Sequence, residues 1–360
     1  MSLSTHYKNY VNEAPPFEKR VEVGSFSLDT ERRVVHDKNQ MRYYVEPHQA
    51  PQFDLRDGYK DRYVKRDESL KKSLDHILRW ILANKSNLKQ KALSSSSSSA
   101  LDFDFVTSRG RLTHLLTTPY QKMSSWLLAV TKFRGTLYIN EVKTEAARQS
   151  ETHRTESHEE NIYWGYKFEQ YMCSDTIDGV PDSSGVVNSN EAFYIVVQTR
   201  LADHSLLFSG ELDCRDKDPN APDPPACYIE LKTAGNIHTA KQRDKFHRYK
   251  LNQWWAQSYL LGVPRIVAGF RNDDGIVESV KTFQVSDIPE IAEREVNFWK
   301  PNVCMNFCSK FLSFVKKVAT EDDPCVVYLF SRKEHSDVTY SVHRNSSYSF
   351  LPDWYVKEMD

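Results

Sequence analysis

Short stretches in which hydrophobic and polar residues alternate recur along the whole chain, and they predict many β-strands. Each stretch is bounded by Gly, Pro, Asn, Asp or Ser, as strands commonly are. One strand begins at Phe105 and runs into Arg109-Gly110. The other predicted strands are 21–28, at a sheet edge, 42–45, 126–130, 136–142, 192–201, 206–214, 228–233, 265–271, 276–285, 325–330 and 338–343.

Other segments place apolar residues at helical spacing. The predicted helices are 67–84 with Asp67 as N-cap, 162–172, 239–261, and 288–318 with an interruption at Pro301. In contrast, 145–160 is charged and poor in apolar residues, so we expect a mobile loop or the frayed start of a helix. The serine run 94–99 is expected to be a solvated loop. This mixture of strands and helices predicts an α+β (mixed α/β) fold, with 1–360 as a single large domain.

Composition narrows the class of protein. The chain has 360 residues, 39% of them hydrophobic, which is enough to bury a sizeable core. The formal net charge is −1, so any nucleic-acid site has to be a local feature. No apolar stretch is long enough to span a membrane, and the N-terminus lacks the apolar core of a signal peptide. We therefore expect no membrane association.

The six cysteines lie in or beside apolar runs, which favours reduced thiols in the cytosol or nucleus. Cys304 and Cys308 stand at helical spacing, as half of a metal site would. Because no matching pair of Cys or His lies nearby in sequence, buried core thiols are the favoured interpretation.

Two predicted strands carry the most informative charges, Glu211-Leu212-Asp213 and Glu230-Leu231-Lys232. Side chains alternate along a strand, so the charged residues of each triplet share one face. Three carboxylates at the ends of buried strands would repel one another unless a cation neutralised them, and oxygen ligands suit Mg²⁺ or Mn²⁺. A lysine beside such a site can orient water and stabilise charge on a phosphate, which is the pattern of metal-dependent phosphodiester cleavage.

Two predicted helices add further candidates. Glu169 lies one turn after Gly165 on the same face. A glutamate at a helix end is by itself more often a solvated surface residue, but the glycine and the aromatic surroundings make a functional role equally well supported. Glycine inside a helix costs about 1 kcal/mol relative to alanine, so we expect another group to approach that face closely. In 239–261, Gln253 and Gln257 share a face among large apolar residues. The early part of that helix is basic, which is typical of a solvated helix face.

Other catalytic classes find less support. With only 12 glycines, the chain contains neither a dinucleotide-binding fingerprint nor a phosphate-binding loop. A Ser or Cys nucleophile activated by one of the 12 histidines stays open, although no Gly-x-Ser-x-Gly turn is present. The carboxylates therefore remain the strongest chemical signal.

An acidic residue ending one core strand, followed by Glu-x-Lys in the next, resembles the PD-(D/E)XK nuclease superfamily. The ordered series resembles the Rai1/DXO family of RNA 5′-end quality-control enzymes over nearly the whole chain, with the fungal members as the expected nearer match. The matching motifs are Pro16-Phe17, 23–27, 41–44, Arg109-Gly110, 165–169, the two charged triplets, 257–264 and 269–271. The resemblance implies two central, mostly antiparallel or mixed β-sheets flanked by helices. The serine run and 145–160 match no family motif.

The resemblance also implies roles for individual residues. Glu169, Asp213 and Glu230 would bind a metal ion directly, together with the backbone carbonyl of Leu231, and Glu211 would bind a second ion or a metal-bound water. Lys232 and Gln257 would hold or activate the attacking water and the scissile phosphate. Arg109 would contact RNA phosphates. The metal would be Mg²⁺ or Mn²⁺, as one or two ions.

By the same resemblance, the expected substrates are single-stranded RNAs with faulty 5′ ends: triphosphate, incomplete cap, NAD cap or 5′-hydroxyl. The implied activities are pyrophosphohydrolysis, decapping, dinucleotide release and 5′-3′ exoribonuclease activity. A nuclear 5′-3′ exoribonuclease is an expected partner, and the nucleus is the expected location, with the cytoplasm as the alternative. Two other hypotheses stay open: a DNA nuclease, and a catalytically idle stabiliser of an exoribonuclease. Buried like charges argue against the idle protein.

Overall fold

The computed structural model describes residues 1–47, 51–67, 74–92 and 101–359. Within these ranges the chain forms two large β-sheets and one small one, with helices packed against them. The strands are β1 (Val21–Leu28), β2 (Val34–Val35), β3 (Tyr43–Tyr44), β4 (Phe53–Asp54), β5 (Tyr63–Val64), β6 (Phe105–Ser108), β7 (Trp126–Phe133), β8 (Thr136–Val142), β9 (Cys173–Ser174), β10 (Val187–Asn188), β11 (Ala192–Leu201), β12 (His204–Leu212), β13 (Cys214–Arg215), β14 (Tyr228–Gly235), β15 (Arg265–Arg271), β16 (Ile276–Gln284), β17 (Val326–Arg332) and β18 (Thr339–Arg344).

The helices follow the same chain order. They are α1 (Asp75–Ala83), α2 (Lys85–Ala92), α3 (Arg109–Thr117), α4 (Glu145–Thr152), α5 (Glu156–Met172), α6 (Ala240–Lys245), α7 (Leu251–Leu261), α8 (Ile288–Val296), α9 (Pro301–Val318) and α10 (Asp353–Met359). A short 3₁₀ turn, Tyr7–Tyr10, precedes them, and a π-helical segment, Phe246–Lys250, joins α6 to α7. The predicted helix 239–261 is thus continuous, with a local widening in its middle.

Both large sheets are mixed. In the part of the chain described, the nine-stranded sheet has the order β18-β17-β7-β8-β6-β12-β11-β1-β2, and β6 runs parallel to both of its neighbours. The seven-stranded sheet has the order β4-β16-β15-β14-β13-β3-β9. Its strands β14 and β15 are parallel, so they need the helical crossover that α6 and α7 provide. The predicted α+β architecture with two central sheets is confirmed.

The two large sheets meet where the chain passes from one to the other. β12 ends at Leu212 in the nine-stranded sheet, and β13 begins at Cys214 in the seven-stranded sheet. The prediction of a single strand over 206–214 is therefore wrong. The segment forms two strands in different sheets, and Asp213 lies between them. The same change of sheet places Asp213 beside both sets of strand ends.

Successive residues of a strand in the nine-stranded sheet pack into different hydrophobic clusters. Phe105 packs in the cluster formed with α3, α7 and α9, whereas its neighbour Val106 packs in the cluster formed with α1 and α10. Since successive strand side chains point to opposite faces, helices cover both faces of this sheet. A third cluster, which includes Phe168 and Ile229, packs α5 against the seven-stranded sheet.

Two helix predictions need correction. The helix predicted over 67–84 begins at Asp75, and Asp67 is not helical; 68–73 and the serine run 94–99 lie outside the described residues. The region 145–160 contains all of α4 and the first residues of α5, so the expected mobile loop is wrong and the alternative, the start of a helix, is nearer to the structure. Side-chain caps explain this, because Thr144 accepts the Ala147 N–H at 3.1 Å and Thr155 caps α5 in the same way.

Three further features predicted from the sequence are the lack of a membrane span, the burial of two cysteines and a close contact at Gly165. No helix in the described ranges is both long and apolar enough to cross a membrane. Cys304 and Cys308 are buried in α9, so the prediction of core thiols is confirmed. A Cβ placed on Gly165 would meet no atom within 4 Å, so the predicted close approach to that glycine is wrong. The space beside Gly165 is open instead.

Candidate active site

The two charged triplets come together where the two sheets meet. β13 pairs antiparallel with β14, with Cys214 opposite Ile229. One step along this register, Asp213 comes level with Glu230. The N–H of Leu231 donates a hydrogen bond to Asp213 Oδ2 at 2.6 Å, which fixes the side chain of Asp213 against β14.

Glu230 is the most deeply buried carboxylate of the group, with 1% exposure. Its Oε1 accepts hydrogen bonds from Lys232 Nζ at 2.5 Å and from Arg109 Nη1 at 3.1 Å. Burial alone would raise the pKa of Glu230, but these two cations outweigh it and hold that pKa below its usual value. Glu230 is therefore ionised in the core, between two charged partners.

Arg109 reaches this position through the sheet order. It is the first residue of α3 and follows β6, which lies parallel and next to β12. Its hydrogen bond to Glu230 spans 121 residues of sequence. The arginine expected to contact RNA phosphates is thus bonded to a carboxylate of the site itself.

Two other carboxylates, Glu169 and Asp213, have too few cations nearby to balance their charge. Burial, followed by the charge of Asp213, raises the pKa of Glu169 well above its ordinary range, although Arg42 opposes this with its Nη1 at 4.0 Å from Glu169 Oε2. Burial and then Glu230 raise the pKa of Asp213 to about 7, against the effect of Lys232. These groups would gain from an added positive charge.

This donor set fits a divalent cation. Glu169, Glu211 and Asp213 line one small polar cavity of about 40 Å³, which is enough for a bound ion or a water molecule. Oε2 of Glu230 is buried without a hydrogen-bond partner among the described atoms. Carboxylate oxygens are the ligands that Mg²⁺ and Mn²⁺ prefer. An ion at this position would supply the positive charge that these carboxylates lack.

The side chains are not arranged as a closed coordination sphere. Over the ranges described, no three His, Cys, Asp or Glu side chains lie close enough to hold one ion as they stand. Glu230 turns one oxygen towards Arg109 and Lys232, and Glu211 Oε2 accepts from the hydroxyl of Tyr194 at 3.1 Å. Binding of one ion by three of these side chains would therefore require side-chain rotations.

A larger cavity of about 770 Å³ opens beside the carboxylates. Gln257 lines it together with Arg109 and Glu211, whereas Gln253, one turn earlier, is exposed and does not. Its wall carries six arginines and five carboxylates: Arg32, Arg33, Arg66, Arg79, Arg109 and Arg111, and Glu31, Asp67, Asp75, Glu151 and Glu211. The arginines of this mixed lining can contact the phosphates of a polyanion that enters end-on.

The structure places all the predicted site residues in this region, and their roles remain predictions. Glu169, Glu211 and Asp213 share the small cavity, and Lys232 and Arg109 contact Glu230, the residue before Leu231. Sequence reasoning did not identify Arg42 or Tyr194 as site residues. Tyr194 is opposite Glu211 in the ladder between β11 and β12, so its identification required the strand pairing. Arg42 lies in the matched motif 41–44, and that motif was the signal that could have found it.

Comparison with known proteins identifies a family. The model of a family described as "RAI1 like PD-(D/E)XK nuclease" matches residues 19–356. A Bos taurus protein named decapping and exoribonuclease protein is 48% identical over 359 residues, which are 99% of this chain and 89% of that protein. Decapping nuclease RAI1 of Emericella nidulans is 32% identical over 311 residues, 83% of this chain and 82% of that protein. The expected nearer match to fungal members is therefore wrong, since the cattle protein is more similar.

Solved structures show the same fold. Candida albicans Rai1 in complex with pU5-Mn²⁺ superposes with a TM-score of 0.84 at 21% identity, covering 100% of this chain and 98% of that one. K. lactis Dxo1 in complex with manganese gives a TM-score of 0.63 at 16% identity, covering 96% of each chain.

Proposed function

The chain belongs to the RAI1-like PD-(D/E)XK nuclease family, and on this basis we propose that it is a divalent-metal-dependent hydrolase of defective RNA 5′ ends. Its relatives are named decapping and exoribonuclease protein and decapping nuclease. The activities that follow are removal of pyrophosphate from 5′-triphosphate RNA, removal of incomplete and NAD caps, and release of dinucleotides from 5′-hydroxyl RNA. Distributive 5′-3′ exonuclease activity belongs to the same proposal.

One observation carries the proposal: half-buried carboxylates with raised pKa values lie beside a lysine and an arginine, next to a cavity whose wall holds six arginines. Glu169, Asp213 and Glu230 would hold Mg²⁺ or Mn²⁺ with the Leu231 carbonyl, and Glu211 would bind a second ion or its water. A divalent ion held there would neutralise the carboxylates, polarise the phosphoryl oxygen and lower the pKa of water. Manganese accompanies two of the related structures, which supports Mn²⁺ as one choice.

The chain's own side chains supply the rest of the chemistry. Lys232 Nζ lies 2.5 Å from Glu230 Oε1, so its ammonium is held where it can orient a water and stabilise charge on a phosphate. Gln257, on the wall of the larger cavity, is placed to hold the water or the phosphate through its amide. Arg109 shares Glu230 with Lys232, and its remaining N–H groups can contact phosphate oxygens.

The wider context is part of the proposal. The family model spans almost the whole chain, which supports one catalytic unit over 1–360. We place the protein in the nucleus, with the cytoplasm as the alternative, because the expected substrates are newly made or faulty transcripts. A nuclear 5′-3′ exoribonuclease is the proposed partner. The second candidate function, an idle stabiliser of that exoribonuclease, is less favoured because buried like charges cost stability unless they serve a site.

The test is product analysis on a panel of RNAs that differ only at the 5′ end, with Mg²⁺, Mn²⁺ or no metal. We expect metal-dependent release of the 5′ group by the wild type and a loss of at least about a hundredfold in kcat for Glu230→Gln and Lys232→Met. A single-stranded DNA of the same sequence separates RNA hydrolysis from DNA cleavage. Undiminished turnover by folded variants, as judged by circular dichroism, would overturn the assignment.

A further inference from the structure

Two cavities of the described chain meet at shared lining residues. The larger one, of about 1220 Å³, lies between α4, residues of β7 and β8, and the segment 347–350, and we call it the outer cavity. The cavity of about 770 Å³ that contains Arg109 and Gln257 is the catalytic cavity. Both are lined by Arg66, Asp67 and Glu151. These three residues therefore mark the junction between the two cavities.

α4 forms one wall of the outer cavity without packing into a core. Thr144, the N-cap of α4, lines this cavity together with Ala147, Arg148 and Glu151. Side chains 145–150 are all exposed and Glu151 is half-buried, so α4 adds no residue to the hydrophobic clusters of the described chain. An eight-residue helix is only marginally stable by itself, because helices in proteins gain most of their stability from an apolar face. The position of α4 therefore depends on its cap and its ion pairs.

Glu151 makes ion pairs with residues on both sides of α4. Its Oε2 lies 2.7 Å from Nζ of Lys143, which precedes the helix. Its Oε1 lies 3.8 Å from Nη2 of Arg154, which follows the helix. Arg154 also pairs with Glu159 of α5, with Nη1 3.6 Å from Oε1. Glu151 thus connects α4 to both of its flanking segments, and it does so at the junction of the cavities.

These ion pairs are of the kind that opens readily. The exposed fractions of the side chains are 31% for Glu151, 21% for Lys143 and 19% for Arg154, so water reaches all three. A partly exposed pair of this kind changes an equilibrium by about twofold. The short connections 143–144 and 153–155 border α4, and rotation of the backbone there would move the helix as a unit. Little energy is therefore needed to lift α4 from its present position.

We propose that α4 is a hinged lid over the outer cavity, and that Glu151 is the latch that holds it closed through Lys143 and Arg154. Opening moves Glu151 away from the junction and joins the outer cavity to the catalytic cavity. An anion that binds Lys143 or Arg154 competes with Glu151 and so favours the open position. The lid motion is a property of the chain alone, whereas its effect on catalysis rests on the proposed function.

A distance measured across the outer cavity tests the lid. Spin labels are placed at Gln149→Cys on α4 and at Ser347→Cys on another wall, both exposed, in a Cys325→Ser chain whose other native cysteines are buried. We expect two label distances, and Glu151→Gln should raise the ratio of the longer to the shorter about fourfold, about twofold for each lost ion pair. Glu141→Gln removes a carboxylate of the same cavity outside the latch, so it is the matched control and should leave the ratio unchanged. One distance, unaltered in the Glu151 variant, would overturn the lid.

Salt provides a second measurement on the same labelled protein. Raising NaCl from about 0.05 M to about 0.5 M screens the latch, so the longer distance should become more populated in the wild type. The Glu151→Gln variant has no latch to screen, and its ratio should stay constant. A salt response of equal size in both proteins would show that Glu151 is not the latch.

Kinetics then connect the lid to catalysis. With 5′-triphosphate RNA, Glu151→Gln should raise kcat/KM by up to about fourfold with kcat unchanged, because more of the protein has an open cavity. Glu141→Gln makes the same change in charge and should leave kcat/KM unaltered. An equal rise in both variants would assign the effect to charge and overturn the role of the latch in access. If the label distances shift but the wild type hydrolyses no RNA, the proposed function fails and the lid stands.

Discussion

Neutralising Asp213 should stabilise the metal-free protein and abolish its response to metal. In Asp213→Asn the amide oxygen can still accept the Leu231 N–H, while one charge leaves a group that includes Glu169, Glu211 and Glu230. The pKa of Asp213, about 7 in the fold, compares with an ordinary 3.8. Each pKa unit is worth about 1.4 kcal/mol, which sets an upper bound of about 4 kcal/mol. Partial solvent contact of the side chain reduces this, so we expect about 1–2 kcal/mol.

The pH dependence has a definite sign. Between pH 3.8 and about 7 the folded state binds the Asp213 proton more tightly than the unfolded chain does, so wild-type stability falls as pH rises through this window. The Asn variant lacks this loss. The stability difference between the two proteins should therefore grow from pH 4 to pH 7 and stay level above it, as urea unfolding without metal would measure.

Metal reverses the order of stability. At a Mn²⁺ concentration one hundred times Kd, the wild type should gain about 2.7 kcal/mol, whereas Asp213→Asn should gain almost nothing. Glu191→Gln is the matched control, because Glu191 is a carboxylate of the same small cavity whose pKa burial also raises, yet it faces Arg42 and Asp175 rather than the proposed ligands. A destabilised Asn variant that kept the full metal-induced shift would refute this reasoning.

Three further predictions follow from single contacts. Lys167 is fully buried and its ammonium makes three hydrogen bonds, so Lys167→Met should lower the free energy of unfolding by about 2–3 kcal/mol in urea titrations. Burial and then Arg32 lower the pKa of His76 to about 4, so the fold should lose about 2 kcal/mol between pH 7 and pH 5 as the unfolded chain takes up the proton, and His76→Asn should remove this slope. Tyr194→Phe deletes the donor to Glu211 and should lower kcat about three- to tenfold without changing KM, as steady-state kinetics would show.

The catalytic strands were predictable because their information is local. The alternation in Glu230-Leu231-Lys232 puts both charges on one face in any strand, and Lys232 does meet Glu230. The local sequence around Arg109 does not predict its contact with the same carboxylate. That contact depends on β6 lying parallel to β12. Sequence reasoning therefore identified the charged residues and missed their pairing across the sheets.

The mobile loop expected at 145–160 and the close neighbour expected at Gly165 are wrong for the opposite reason, because another local effect outweighs the pattern that predicted them. The region 145–160 lacks an apolar face, but threonine caps and an Arg148–Glu145 ion pair at 3.0 Å stabilise its helices instead. Gly165 was expected to admit a close neighbour, and the structure leaves open space there. In a binding protein that space has another explanation, because a glycine also keeps a groove clear for a ligand.

Lys232 joins the two halves of the site. Its ammonium bonds to Glu230, whose pKa is lowered, and together with burial and Arg271 its charge lowers the pKa of Lys250. Glu169 and Asp213 have too few cations nearby, whereas the charged groups that act on Lys250 are all cations. The formal net charge of −1 therefore conceals two local imbalances of opposite sign, and substrate and metal together would neutralise them.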